Sequence, residues 1–141
     1  MSRSSYHGCM VSRPILDVLQ GVLARRPELA LAIVFGSVAA GAQDAESDVD
    51  LAVQAARPLG VKLKMALVAE LAEATGRAVD LIDLRTVGEP LLGQILNHGL
   101  RLLGSDEEFA RLLSRHLIDA ADFLPYAQRI VDQRRRAWIG L

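Results

Sequence analysis

Aromatic side chains and cysteines are scarce in this chain. Phe, Trp and Tyr together make up 4% of its 141 residues, and Cys9 is its one cysteine. A core so short of aromatics has to be assembled from Ala, Leu, Val and Ile. A single cysteine can form neither an internal disulfide nor a zinc cluster, so nothing directs the chain to an oxidising compartment. An excess of one charge is missing too: 16 Lys and Arg stand against 17 Asp and Glu, a formal net charge of −1. That removes the general electrostatic argument for a nucleic-acid partner. No apolar run reaches the roughly 20 residues a helix needs to cross a bilayer, and the N-terminus has no hydrophobic signal core. The expectation is a soluble, cytoplasmic protein that makes no use of a membrane. Its length suits one domain with a real core.

What is present is a regular alternation of apolar runs and breaks. Residues 1–11 are polar and aperiodic and read as a flexible tail. Ser12 is a good N-cap and Pro14 is tolerated in a first helical turn. Ile15, Leu16, Val18, Leu19, Val22 and Leu23 then recur at helical spacing up to about Arg26, where Pro27 stops the run. Leu29 to Phe35 is short and continuously apolar, which predicts a buried strand. Strands are also expected at 48–54 and 78–84, with a helix from Val61 to Thr75 closed by Gly76. A short helix over 90–97 closed by Gly99 precedes a short strand at 100–103. Ser105-Asp106-Glu107-Glu108 is a capping box that opens a helix to about Phe123. A last helix, Tyr126 to about Trp138, carries Arg134, Arg135 and Arg136, and with Tyr126 and Trp138 it is either a partner surface or a solvated face. The fold class is α/β (α+β): a small mixed sheet flanked by helices, with a core over 12–104 and a helical C-terminal region over 105–141.

The chemistry gathers at the end of the first strand and the start of the second. Phe35 is followed by Gly36-Ser37, where the chain must turn sharply and a ligand can approach the backbone closely. Val38-Ala39-Ala40 can begin a short helix whose N-terminus faces an anion. Ten residues after Ser37 come Asp48 and Asp50, which alternation places on one face of a strand. Two carboxylates so close repel each other unless a cation lies between them. Their hard oxygens suit Mg²⁺, which takes one or two carboxylates together with substrate phosphates. The third strand adds Asp80 and Asp83, three positions apart and so on opposite faces; only one of them can join the first pair.

Gly36, Ser37, Asp48 and Asp50 at this spacing resemble the signature of the polymerase-β-like nucleotidyltransferase superfamily. The small size resembles its minimal nucleotidyltransferase (MNT) branch, which includes the antitoxins of HEPN-type toxins. The likeness spans roughly Leu29 to Leu103. It implies a third carboxylate on the strand beside Asp48 and Asp50, in an apolar context: Asp80, between Val79 and Leu81, matches best, with Asp83 as the alternative. It further implies that Asp48, Asp50 and Asp80 bind Mg²⁺ and are the catalytic residues, while Gly36 and Ser37 hold nucleotide phosphates. The implied reaction moves a nucleoside monophosphate, AMP from ATP, to a hydroxyl such as a tyrosine of a HEPN-type toxin. A homo- or hetero-oligomer fits that role. Two other readings remain open: an antitoxin that works by docking with a weakened site, and a small-molecule transferase of the aminoglycoside type. One departure stands out: the loop over 38–46 has no Arg or Lys to meet phosphate.

Overall fold

In the computed structural model the described residues are 13–41 and 48–121. The expected N-terminal tail, the later part of the loop after Ser37 and the helix expected from Tyr126 to Trp138 lie outside them.

The element order is α1 (Arg13–Ala24), β1 (Leu29–Phe35), α2 (Gly36–Ala40), β2 (Val49–Ala55), α3 (Val61–Thr75), β3 (Val79–Asp83), α4 (Leu91–His98) and β4 (Leu100–Leu103). A further helix, α5, begins at 106 and continues through 121. The four strands form one mixed sheet in the order β3-β2-β1-β4. β1 pairs antiparallel with both β2 and β4. β2 and β3 run parallel. A parallel pair needs a crossover rather than a hairpin, and α3 provides it.

The continuous apolar run of β1 and the apolar Leu51–Val53 stretch of β2 follow from their central place, with both faces covered. On one face Ala32, Val34, Leu51, Val53 and Leu81 pack with Leu16, Leu19 and Leu23 of α1 and Leu67 and Leu71 of α3. On the other, Leu31, Ile33 and Ala52 pack with Leu92 and Ile95 of α4 and Leu112 of α5. Each fully buried Leu or Ile here contributes roughly 1.5–3 kcal/mol by leaving water. The first face is fastened further by Arg26 of the α1–β1 turn, whose Nε and Nη2 both donate to Glu70 Oε1 of α3, at 3.0 and 2.9 Å.

One expectation is adjusted at this level. Val18, read with the apolar stripe of α1, is 38% exposed, because Ile15, Leu16, Leu19, Val22 and Leu23 already fill the inward side. Gly99 closes α4 as expected, its N–H donating to Ile95 O at 2.8 Å, with a φ of −82° outside the left-handed region. It is glycine because a Cβ would run into the Ile95 carbonyl and Ile33. Gly76 also closes α3 as expected, at φ 69° with its N–H donating to Ala72 O. The third strand is an edge strand, only partly buried, so its acids need not be interior.

The capping box forms in part: Glu108 N–H donates to Ser105 Oγ at 3.2 Å. α5 is then tied to the segment between β3 and α4. Arg115 Nη1 donates to Leu84 O, and its Nη2 donates to Val87 O at 2.8 Å. His116 Nδ1 lies 2.8 Å from Glu89 Oε2. Among the described residues, no helix is long and apolar enough to cross a membrane.

Candidate active site

β1 ends at Phe35, and the chain turns at Gly36 with φ +72°. That left-handed conformation costs an L-residue roughly 1–2 kcal/mol. A second constraint acts on the same position: a Cβ there would overlap Oδ2 of Asp50. Glycine is therefore required both by the turn and by the close approach of the carboxylate. Ser37 follows in the first turn of α2, half-buried.

The register fixes the rest. Phe35 is the partner of Asp50 across the antiparallel pair, and Asp50 is the partner of Asp80 across the parallel pair. Partners in register point to the same face, so both carboxylates project on the side of the sheet that carries α4 and α5. Asp48, two residues before Asp50 and just ahead of β2, is exposed, as is Asp80. Asp50 is half-buried, and its pKa is raised above the ordinary 3.8 by burial, then by the charge of Asp80, then by that of Asp48. The charges of Asp80 and Asp48 thus both reach Asp50, as expected where carboxylates crowd. Among the described residues, no group of three acidic, His or Cys side chains is gathered so as to hold a metal ion by itself. An open set of carboxylates suits an ion that completes its coordination with water and substrate phosphate.

Asp83 belongs to a different task. Strand alternation turns it to the opposite face, where its Oδ2 accepts the Leu59 N–H at 2.8 Å and its Oδ1 accepts the Arg85 N–H at 2.9 Å. It ties the loop before α3 to the end of β3, and both of its oxygens are engaged.

Beside the Gly36 turn lies a cleft of about 280 Å³ lined by Phe35, Gly36, Ala40, Gln94 and His98. Gln94 and His98 are not legible as site residues: His98 reads as a helix end, and nothing in the sequence singles out Gln94. The signal available in the sequence was their i, i+4 spacing, which puts both on one side of α4.

The sequence profile of the family described as "Polymerase beta, Nucleotidyltransferase" matches residues 18–108. Over 82 residues the chain is 38% identical to protein adenylyltransferase MntA of Shewanella oneidensis, a stretch that covers 58% of this chain and 59% of that protein. The fold is similar to a chain in a crystal structure of a toxin–antitoxin with AMP-PNP, at a TM-score of 0.75 and 29% identity, covering 85% of this chain and 98% of that one. It is similar also to a chain in the structure of tri-AMPylated Shewanella oneidensis HEPN toxin in complex with MNT antitoxin, at a TM-score of 0.68 and 25% identity, covering 85% and 98%. The Gly-Ser turn, the facing aspartates and the mixed sheet beneath them lie within the matched residues, and the chain belongs to the polymerase-β nucleotidyltransferase family.

Proposed function

We propose that this protein transfers AMP from ATP to a hydroxyl, a tyrosine of a HEPN-type toxin, and is that toxin's antitoxin. The observation that carries the reading is the packing of Asp50 against the Gly36 turn with Asp80 directly opposite. That arrangement supports phosphoryl chemistry because it sets acidic oxygens beside a backbone turn a phosphate can approach. The likeness to a protein adenylyltransferase and to antitoxin chains from AMP-PNP and AMPylated-toxin complexes supports the acceptor and the partner.

The residues present fit Mg²⁺: burial and the charges of Asp80 and Asp48 push the Asp50 carboxyl above its ordinary pKa, and a cation is the counter-charge that would relieve it. Asp48, Asp50 and Asp80 would hold it, and when bound it supplies charge stabilisation for the entering and leaving oxygens. The acceptor oxygen attacks the α-phosphorus in line, the bond from the α-phosphorus to the bridging oxygen breaks, and pyrophosphate departs. Asp80, exposed beside Asp50, would take the acceptor proton. Gly36 and Ser37 position the departing phosphates. The chain acts mainly by positioning and charge stabilisation. A reaction that consumes ATP and disarms a toxin fits a cytoplasmic location.

The test is made in cells that carry the toxin. Replacing Asp48 and Asp50 together by Asn removes charge at nearly constant shape. If the variant still binds the toxin but no longer neutralises it, the catalytic reading holds. If it neutralises as well as wild type, docking alone is the mechanism and the reading is overturned.

A further inference from the structure

The strand order sets Asp80, Asp50, the Gly36 turn and the junction of α4 with β4 in a row across the sheet. The acids lie on the β2–β3 side of that turn, whereas the 280 Å³ cleft opens between α2 and α4. Gln94 and His98, one turn apart on α4, form its polar wall. Both side chains are exposed, and among the described residues neither has a hydrogen-bonding partner. Among the described residues no acidic side chain lines the cleft, and its other described walls are Phe35, Gly36 and Ala40. The described walls offer N–H donors, which suit an anion.

This matters because the turn itself is poorly equipped. α2 is five residues long and carries no basic side chain, so it contributes little charge toward a phosphate. A nucleotide whose α-phosphorus lies by Asp50 and Asp80 and whose phosphate chain runs past the Gly36 turn has its β- and γ-phosphates heading for this cleft. The volume, about 280 Å³, falls just under the roughly 300–1,000 Å³ of pockets that enclose a drug-sized ligand. It accommodates the end of a nucleotide rather than the whole of one.

We propose that Gln94 and His98 hold the β- and γ-phosphates of the incoming nucleotide, the pyrophosphate half that leaves. The inference rests on the nucleotidyltransferase reading and goes beyond it by assigning the donors that the loop after Ser37 lacks. They are positioning residues for the leaving group.

The experiment is a calorimetric titration of the full-length protein with AMP-PNP and, separately, with AMP, both with Mg²⁺. Wild type is compared with Gln94→Ala, His98→Ala, the double variant and His98→Gln, which keeps an N–H donor. The double variant is expected to lose about tenfold or more in AMP-PNP affinity while its AMP affinity is unchanged, and His98→Gln is expected to recover part of the loss of His98→Ala. AMP binding doubles as the control for folding. Equal losses for AMP-PNP and AMP would assign these residues to the nucleoside and overturn the proposal, as would variants that bind both like wild type. Wild type binding neither nucleotide would overturn the nucleotidyltransferase reading along with it.

Discussion

Asp50 and Asp80 are register partners on adjacent parallel strands, and the pKa of half-buried Asp50 is raised by burial and by the charge of Asp80. Ionising Asp50 therefore costs more in the folded chain than in the unfolded one. The stability linked to its protonated form is fully present below the ordinary value of 3.8 and is lost as pH rises through the raised folded value. Asp50→Asn is expected to make the metal-free protein more stable at neutral pH, by roughly 0.5 kcal/mol or more, with the difference vanishing in acid. Thermal melts of both proteins across pH check it. Added Mg²⁺ is expected to raise the melting temperature of wild type and to leave the variant nearly unmoved.

Gly36→Ala tests the close approach of turn and carboxylate. The left-handed φ costs about 1–2 kcal/mol, and the new methyl group pushes Asp50 aside. A misplacement on the order of 1 Å in a catalytic group can cost about a hundredfold in rate. Transfer activity is expected to fall far more than stability does, which activity assays alongside melts would show.

The two acids of β3 separate by the kind of damage their loss causes. Asp83→Ala removes the acceptor of the Leu59 and Arg85 N–H groups and is expected to destabilise the fold by about 1–3 kcal/mol, with the chemistry of the folded fraction intact. Asp80→Asn is expected to leave the melting temperature within about 0.5 kcal/mol of wild type and to abolish transfer. The reverse pattern would make Asp83 the third site acid.

Much of this arrangement is legible in the sequence because strand periodicity is strict. The continuous apolar run of β1 marks a central strand, and the two-residue period alone puts Asp48 with Asp50 and separates Asp80 from Asp83. What escapes is anything decided by packing between distant segments. Gly99 looks like an ordinary helix end, but it is the contact with Ile33 and the Ile95 carbonyl that demands glycine. His116 has no partner that its neighbours in sequence can supply; Glu89, 27 residues away, reaches it only because α5 folds over the segment before α4. The cleft wall of Gln94 and His98 is hidden for the same reason: spacing sets the face of a helix, and only the fold says what that face meets.

The strap between α5 and that segment gives a further expectation. Arg115→Ala strips the donors from Leu84 O and Val87 O. A loss of about 1–3 kcal/mol is expected, with faster amide hydrogen exchange concentrated between β3 and α4. Exchange unchanged in that stretch would show that the apolar contact of Leu112 alone holds α5 in place.

The central claim, AMP transfer at the Gly36–Asp50–Asp80 site, is met most directly by incubating the protein with its HEPN-type toxin, Mg²⁺ and ATP labelled at the α-phosphate, and reading the label on the toxin. Wild type is predicted to label the toxin, and both the Asp48→Asn/Asp50→Asn variant and wild type with a chelator are predicted to leave it unlabelled. Label transferred equally by the variant, or a toxin silenced by wild type without any label, would contradict the account.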